Sequence, residues 1–138
     1  MNYFKGLTPL KFSLIMANEF YFKLQGRYAP ANSNTVPTSI GIIESYFDQS
    51  GVDHESGTQS IGTSEETITW STDIGDEYWL FIRNLDTTNY VQICFATGVY
   101  GIRLRAGDFM LIPLEPGTTI YALANTAACN VQYIVYEA

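Results

Sequence analysis

The sequence predicts an all-β fold, an antiparallel β-sandwich of jelly-roll type with about nine or ten strands. Short apolar runs rich in β-branched and aromatic residues recur along the chain, and each is bounded by Gly, Pro, Asn or Asp, as strands joined by tight turns require. The runs also alternate with a period of two. Between Lys11 and Gln25 the even positions are Phe12, Leu14, Met16, Asn18, Phe20, Phe22 and Leu24, while the odd ones include Lys11, Ser13, Glu19, Lys23 and Gln25. A helical period of 3.6 would scatter these aromatics around a cylinder, so strand is the better reading.

Composition supports the same class. Of 138 residues, 46% are hydrophobic and only 15% charged, with ten Tyr and eight Phe, so the polar surface is built from Thr, Ser, Asn and Gln. Edge strands are ordinarily guarded by Lys and Glu, and a surface poor in both predicts an assembling protein, a homo-oligomer. The length is that of one domain able to bury a core without disulfide or metal. A formal net charge of −7 argues against a nucleic-acid partner, which needs a Lys/Arg-rich face. No apolar run approaches the roughly 20 residues of a membrane span, and the first residues do not read as a signal sequence, so synthesis in a cytoplasm and no membrane partner are expected.

Taken in order, Met1 to Leu10 has neither period yet carries Tyr3, Phe4, Leu7 and Leu10. It reads either as a segment covering one end of the core or as an arm laid on a neighbouring subunit, and these four residues are the candidate attachment site. Residues 11–138 are expected to form a single sandwich domain. The alternating stretch from Lys11 to Gln25 is one bent strand or two strands joined at Ala17-Asn18-Glu19. Gly26 to Ser39 is a loop, and Ile40 to Phe47 returns to strand, with consecutive Ile42 and Ile43 implying burial on both faces or a bulge. Val52 to Gly62 is polar and holds His54, the single histidine. Thr63-Ser64-Glu65-Glu66 imitates a helix capping box, but the β-branched run Thr67-Ile68-Thr69-Trp70 follows at once and strand wins. From Glu77 the grammar is clearest: Glu77 to Asn84, Asn89 to Phe95, Val99 to Arg105, Phe109 to Leu114, Thr118 to Ala124 and Cys129 to Tyr136 are strands. Phe109 to Leu114 is apolar on both faces, Pro113 belongs at a sheet edge or strand end, and Glu115-Pro116-Gly117 is the plainest turn. Phe20, Phe22, Ile82, Val91, Ile93, Val131 and Tyr133 are the expected core.

Catalytic constellations do not emerge. His54 sits in a polar strand with no identifiable third partner for a nucleophilic triad, and successive strand residues would turn it away from Asp53 and Glu55. Glu65, Glu66, Asp73, Asp76 and Glu77 are close in sequence, but acidic residues beside turns are ordinarily solvated, and a calcium loop supplies more oxygens at fixed spacing. Gly residues fall singly at turns rather than in a phosphate-cradling loop. Cys94 and Cys129 have no metal-ligand spacing and are read as free thiols, Cys94 on the parity of Tyr90 and Gln92 and Cys129 on that of Val131 and Tyr133. Trp70, Trp79 and the tyrosines are core or interface residues before they are a sugar-stacking platform. The expectation is a protein that is not an enzyme and uses no metal or cofactor.

The segments Gln59-Ser-Ile-Gly-Thr-Ser-Glu-Glu66, Leu80-Phe-Ile-Arg-Asn-Leu-Asp-Thr-Thr-Asn-Tyr-Val91, Arg103-Leu-Arg-Ala-Gly-Asp-Phe109, Ile112-Pro-Leu114 and Val131-Gln-Tyr-Ile-Val-Tyr-Glu-Ala138 follow one another in a distinctive order. In these, rather more than half of its length, the chain resembles a group of small tailed-bacteriophage virion proteins that end in one β-domain. The resemblance implies a non-enzymatic structural protein of the virion, made in the bacterial host cytoplasm and partnered by other virion proteins. Shell decoration, as a cement protein on the major capsid protein, is the leading expectation. A tail or fibre module that binds host glycans and a neck or tail-completion ring are the alternatives.

Overall fold

The computed structural model describes residues 20–28, 38–47, 54–75 and 77–137. Ten strands run through them: β1 Phe20–Tyr28, β2 Thr38–Phe47, β3 His54–Ile61, β4 Glu66–Ile68, β5 Glu77–Asn84, β6 Val91–Cys94, β7 Ile102–Leu104, β8 Phe109–Pro113, β9 Ile120–Ala124 and β10 Cys129–Glu137. No helix occurs among the described residues, and every strand pair is antiparallel. The chain divides into two compact units, residues 1–48 and 49–138.

The second unit is a jelly roll, and its pairing shows why. β3 pairs β10, β4 pairs β9, β5 pairs β8 and β6 pairs β7, which are the nested rungs of one long hairpin. Alternate rungs fall into alternate sheets, and the added pairs β10–β5 and β9–β6 join them into sheets of order β3-β10-β5-β8 and β4-β9-β6-β7. A hairpin rolled up in this way is the double-sheet solution to closing an antiparallel fold around one core.

Period-two alternation fills that core. From the first sheet come Ile61, Leu80, Ile82, Val131 and Val135, and from the second Val91, Ile93, Ile120 and Ala122, each with 0% of its surface exposed. Tyr133, 8% exposed, completes the expected set in this unit. Turn chemistry agrees with the sequence at the expected places. Gly107 (φ 79°) and Gly117 (φ 75°) occupy the third position of turns closed by Asp108 N–H to Arg105 O at 3.0 Å and Thr118 N–H to Glu115 O at 3.1 Å. A positive φ at that position is the type II requirement, which Gly meets without steric cost. Pro113 ends β8, an edge strand, where its missing N–H costs no ladder bond.

Of the first unit, the described residues are those of β1 and β2. β1 and β2 form a two-stranded sheet of their own, with a register shift between Gly26 and Arg27. Phe22, expected in the core, is only half-buried, and Leu24 is 49% exposed. Ile42 and Ile43 are exposed as well, so neither burial on both faces nor a bulge at these two residues explains the pair. The side chain of Phe20 lies outside the described residues.

Cys94 and Cys129 are free and buried. Cys129 takes the core-facing parity of β10, and burial, followed by the nearby Asp86 carboxylate, pushes its thiol pKa up. Cys94 follows Ile93 and is also buried, so the end of β6 is covered on both faces although its polar neighbour Gln92 suggested otherwise.

Candidate interaction surface

The inner faces of β5, β8 and β10 are accounted for by the core, and the outer faces of the same strands are apolar too. Because successive residues of a strand point to opposite sides, burial of Leu80, Ile82, Val131 and Val135 sends Trp79, Phe81 and Ile134 outward. Register aligns them. Tyr136, Trp79 and Pro113 lie side by side across the three strands, Ile134, Phe81 and Leu111 form the next row, and Gln132, Arg83 and Phe109 the third. Phe81 stacks on Phe109 at 5.9 Å between ring centroids and 30° between planes. Phe109 is 57% exposed and the other aromatics are half-buried. Phe81, Arg83, Gly107 and Phe109 line a shallow depression of about 390 Å³. The signal in the sequence was the run Phe109 to Leu114, apolar at both parities; what it did not reveal is that β5 and β10 continue the same patch.

At β3 both faces are polar, and Glu55 and Gln59 turn toward the sandwich interior on the same side as the buried Ile61. The Gln59 amide donates to Thr67 O at 2.8 Å and accepts from Thr69 N–H at 3.1 Å, standing in for a neighbouring strand beside β4. Glu55 accepts from Ser71 N–H at 2.7 Å and from the Tyr133 hydroxyl at 2.9 Å. Burial first, then this bond, raises the Tyr133 pKa. Gly57 lies under the Tyr133 ring so closely that a Cβ there would sit 2.5 Å from the hydroxyl oxygen.

Two of the acidic residues weighed for catalysis, Glu65 and Glu66, accept hydrogen bonds from the backbone. Glu66 accepts from Gly62 N–H at 2.9 Å. Glu65 accepts from Gly98 N–H at 2.9 Å and from the Tyr100 hydroxyl, and these two donors hold its carboxyl below the usual range, Tyr100 having the larger effect. Burial and the Glu65 carboxylate push the Tyr100 hydroxyl up to about 12. Both shifts favour the folded state between acid and alkali. The carboxylate contribution is lost as pH falls below the ordinary Glu value of 4.5, and the phenol contribution as pH rises from 10 toward about 12. Tyr100→Phe is therefore expected to lower Tm relative to the natural chain near neutral pH, with the gap closing in acid and again in alkali; a gap independent of pH would show that the pair does not titrate together.

Asp73 is exposed beside its turn, and Asp76 lies outside the described residues. Among the described residues no group of three or more His, Cys, Asp and Glu is placed to hold a metal ion. His54 is exposed and stacks on Tyr136, with centroids 6.1 Å apart. The two tryptophans do not make one platform: Trp70 packs against the core, whereas Trp79 takes the outer face. Tyr3, Phe4, Leu7 and Leu10, the candidate attachment residues, lie outside the described residues.

No family model matches the chain, and no curated protein does. Among solved structures, a chain from the Bacillus endospore appendages, a novel family of disulfide-linked pili, is similar at 21% identity and a TM-score of 0.45. The match covers 62% of this chain and 85% of that one.

Proposed function

We propose that the protein is a non-enzymatic structural component of a bacteriophage virion, a decoration protein that docks on the capsid shell through the outer face of the β3-β10-β5-β8 sheet. The observation that carries docking is the apolar face formed by Trp79, Phe81, Phe109, Leu111, Ile134 and Tyr136. Contiguous apolar surface rimmed by polar residues marks an interaction site on a folded domain, and aromatic anchors dominate the energetics of such sites. The virion setting rests on the sequence resemblance that begins near Gln59.

The test combines location and surface. Quantitative mass spectrometry of purified virions should find copies on the order of hundreds per particle, whereas about six or twelve would mean a cyclic ring and a few dozen a fibre. Absence from purified particles would overturn the reading. Phe81→Ser/Phe109→Ser should keep the melting temperature within a few degrees, because both rings lie outside the core, and lose binding to shells that lack the protein.

The stacked Phe81 and Phe109 beside the Arg83 guanidinium favour a second reading, a tail or fibre module that binds host surface glycans. An aromatic face suits a sugar ring and a guanidinium suits its hydroxyls. Retention on immobilised host glycans that is lost in Phe109→Ala would select this reading over shell docking.

A further inference from the structure

We infer that the β1–β2 ribbon is a self-association element, completed by the ribbon of a second copy of this chain. The ribbon pairs strands of nine and ten residues, and among the described residues β1 and β2 pair only with each other. A lone two-stranded antiparallel hairpin is at best marginal in water, since it cannot bury enough apolar area to offset the ordering of its backbone. This one carries large aliphatic side chains on both faces. Leu24 and Ile43, directly paired, are 49% and 50% exposed on one face, and Ile42 is 53% exposed on the other. Side chains of this kind, held in register across two strands, form a surface that a packed partner stabilises.

Charge selects the partner. Residues 49–138 hold eleven of the fourteen acidic residues and three of the seven basic ones, so the jelly rolls of two copies repel each other. Residues 1–48 hold three acidic and four basic residues and are nearly neutral. On the ribbon itself Lys23 and Glu44 form a cross-strand ion pair at 2.8 Å, so the ribbon presents both signs and is electrostatically compatible with its own copy. Two copies of an acidic chain meet at least electrostatic cost through this segment, and an isologous contact places Leu24 and Ile43 of one ribbon against those of the other.

Sedimentation equilibrium of the full chain should give a mass at least twice 15.4 kDa at micromolar concentration, falling toward 15.4 kDa on dilution. Leu24→Asp/Ile43→Asp should sediment at the monomer mass while the jelly roll keeps its near-ultraviolet circular dichroism and cooperative melting. Ile43→Cys, a milder change, should form a covalent dimer on oxidation in several-fold higher yield than Thr119→Cys, placed in an exposed loop of the other unit. A natural chain that is monomeric throughout, a double Asp variant that keeps the natural mass, or equal yields of the two Cys variants would overturn the inference. If residues 1–19 of the same chain cover the ribbon, or a shell protein does, the isolated chain will be monomeric, and that result also counts against self-association. Shell binding by a monomeric chain would separate failure here from failure of the docking proposal.

Discussion

Truncating Ile93 to Ala is expected to lower the unfolding free energy by about 3–5 kcal/mol, the upper part of the range for buried aliphatic deletions. Ile93 has no exposed surface and sits on β6, between Ala122 of β9 on one side and Ile102 of β7 on the other. The cost of such a deletion depends on how far the surroundings collapse into the space left behind. Here one flanking strand contributes Ala122 and Ala124, which have no rotatable side chain to swing inward. The cavity therefore persists. Ile93→Val leaves most of the volume filled and should cost only about 0.5–1.5 kcal/mol. Urea denaturation with an unchanged slope is the measurement, and a loss below about 1 kcal/mol for the Ala variant would show that the two sheets close over the site.

Alternation and turn chemistry were enough to read most of the jelly roll. The inward sets of β5, β6, β9 and β10 follow directly from period two, and the Gly-containing turns after Arg105 and Glu115 are where the residues place them. Within the described part of the stretch Lys11 to Gln25, the same rule did not place Phe22 and Leu24 in a core, for a physical reason. Alternation states that Phe22 and Leu24 share a face; it does not state which sheet that face meets, and β1 has β2 as its sheet partner rather than any strand of the sandwich. At β3 burial alternates but polarity does not, since both faces carry polar side chains. Glu55 and Gln59 turn inward because their side chains replace a missing strand partner beside β4, and no local pattern distinguishes that role from solvent exposure.

The candidate docking face was half legible. The sequence showed Phe109 to Leu114 apolar on both sides, and a strand of that kind is either buried twice or exposed once. Only the register, which sets Phe81 against Leu111 and Ile134, shows that the outward residues of three strands merge into one surface. Such a merger depends on pairings between residues about 30 or more apart along the chain, which strand grammar does not specify.

Asn84→Ala is expected to cost about 2–4 kcal/mol, an unusually large effect for a residue that in the sequence only closes the strand Glu77 to Asn84. Asn84 is fully buried at the end of β5. Its side-chain amide lies 2.9 Å from Asn89 O, 3.1 Å from Leu104 O and 3.2 Å from Arg105 O, and its Oδ1 accepts from Asp86 N–H at 2.9 Å. Two amide hydrogens thus serve three carbonyls, one of them shared, while the oxygen fixes the turn in which Asp86 in turn holds Thr88 N–H and Asn89 N–H. The main chain adds Asn84 N–H to Asp108 O at 2.9 Å and Gly107 N–H to Asn84 O at 3.1 Å, so one residue ties the turn after β5 to the turn before β8. Alanine keeps the main-chain bonds and strands the carbonyls, of which Leu104 O makes its bond in a buried setting where water does not readily replace the lost donor. Asn84→Asp separates this account from simple loss of packing. Aspartate fills the same volume and preserves the bond from Asp86 N–H, yet it turns a donor into an acceptor facing three carbonyl oxygens, so it should be at least as damaging as Ala at neutral pH and recover as the carboxyl is protonated in acid. Hydrogen exchange should accelerate first at the amides of Asp86, Thr88, Asn89 and Gly107. If instead Asn84→Asp were tolerated at neutral pH, the side chain would be a filler of space, and the turns would owe their order to their own Asx and Gly residues.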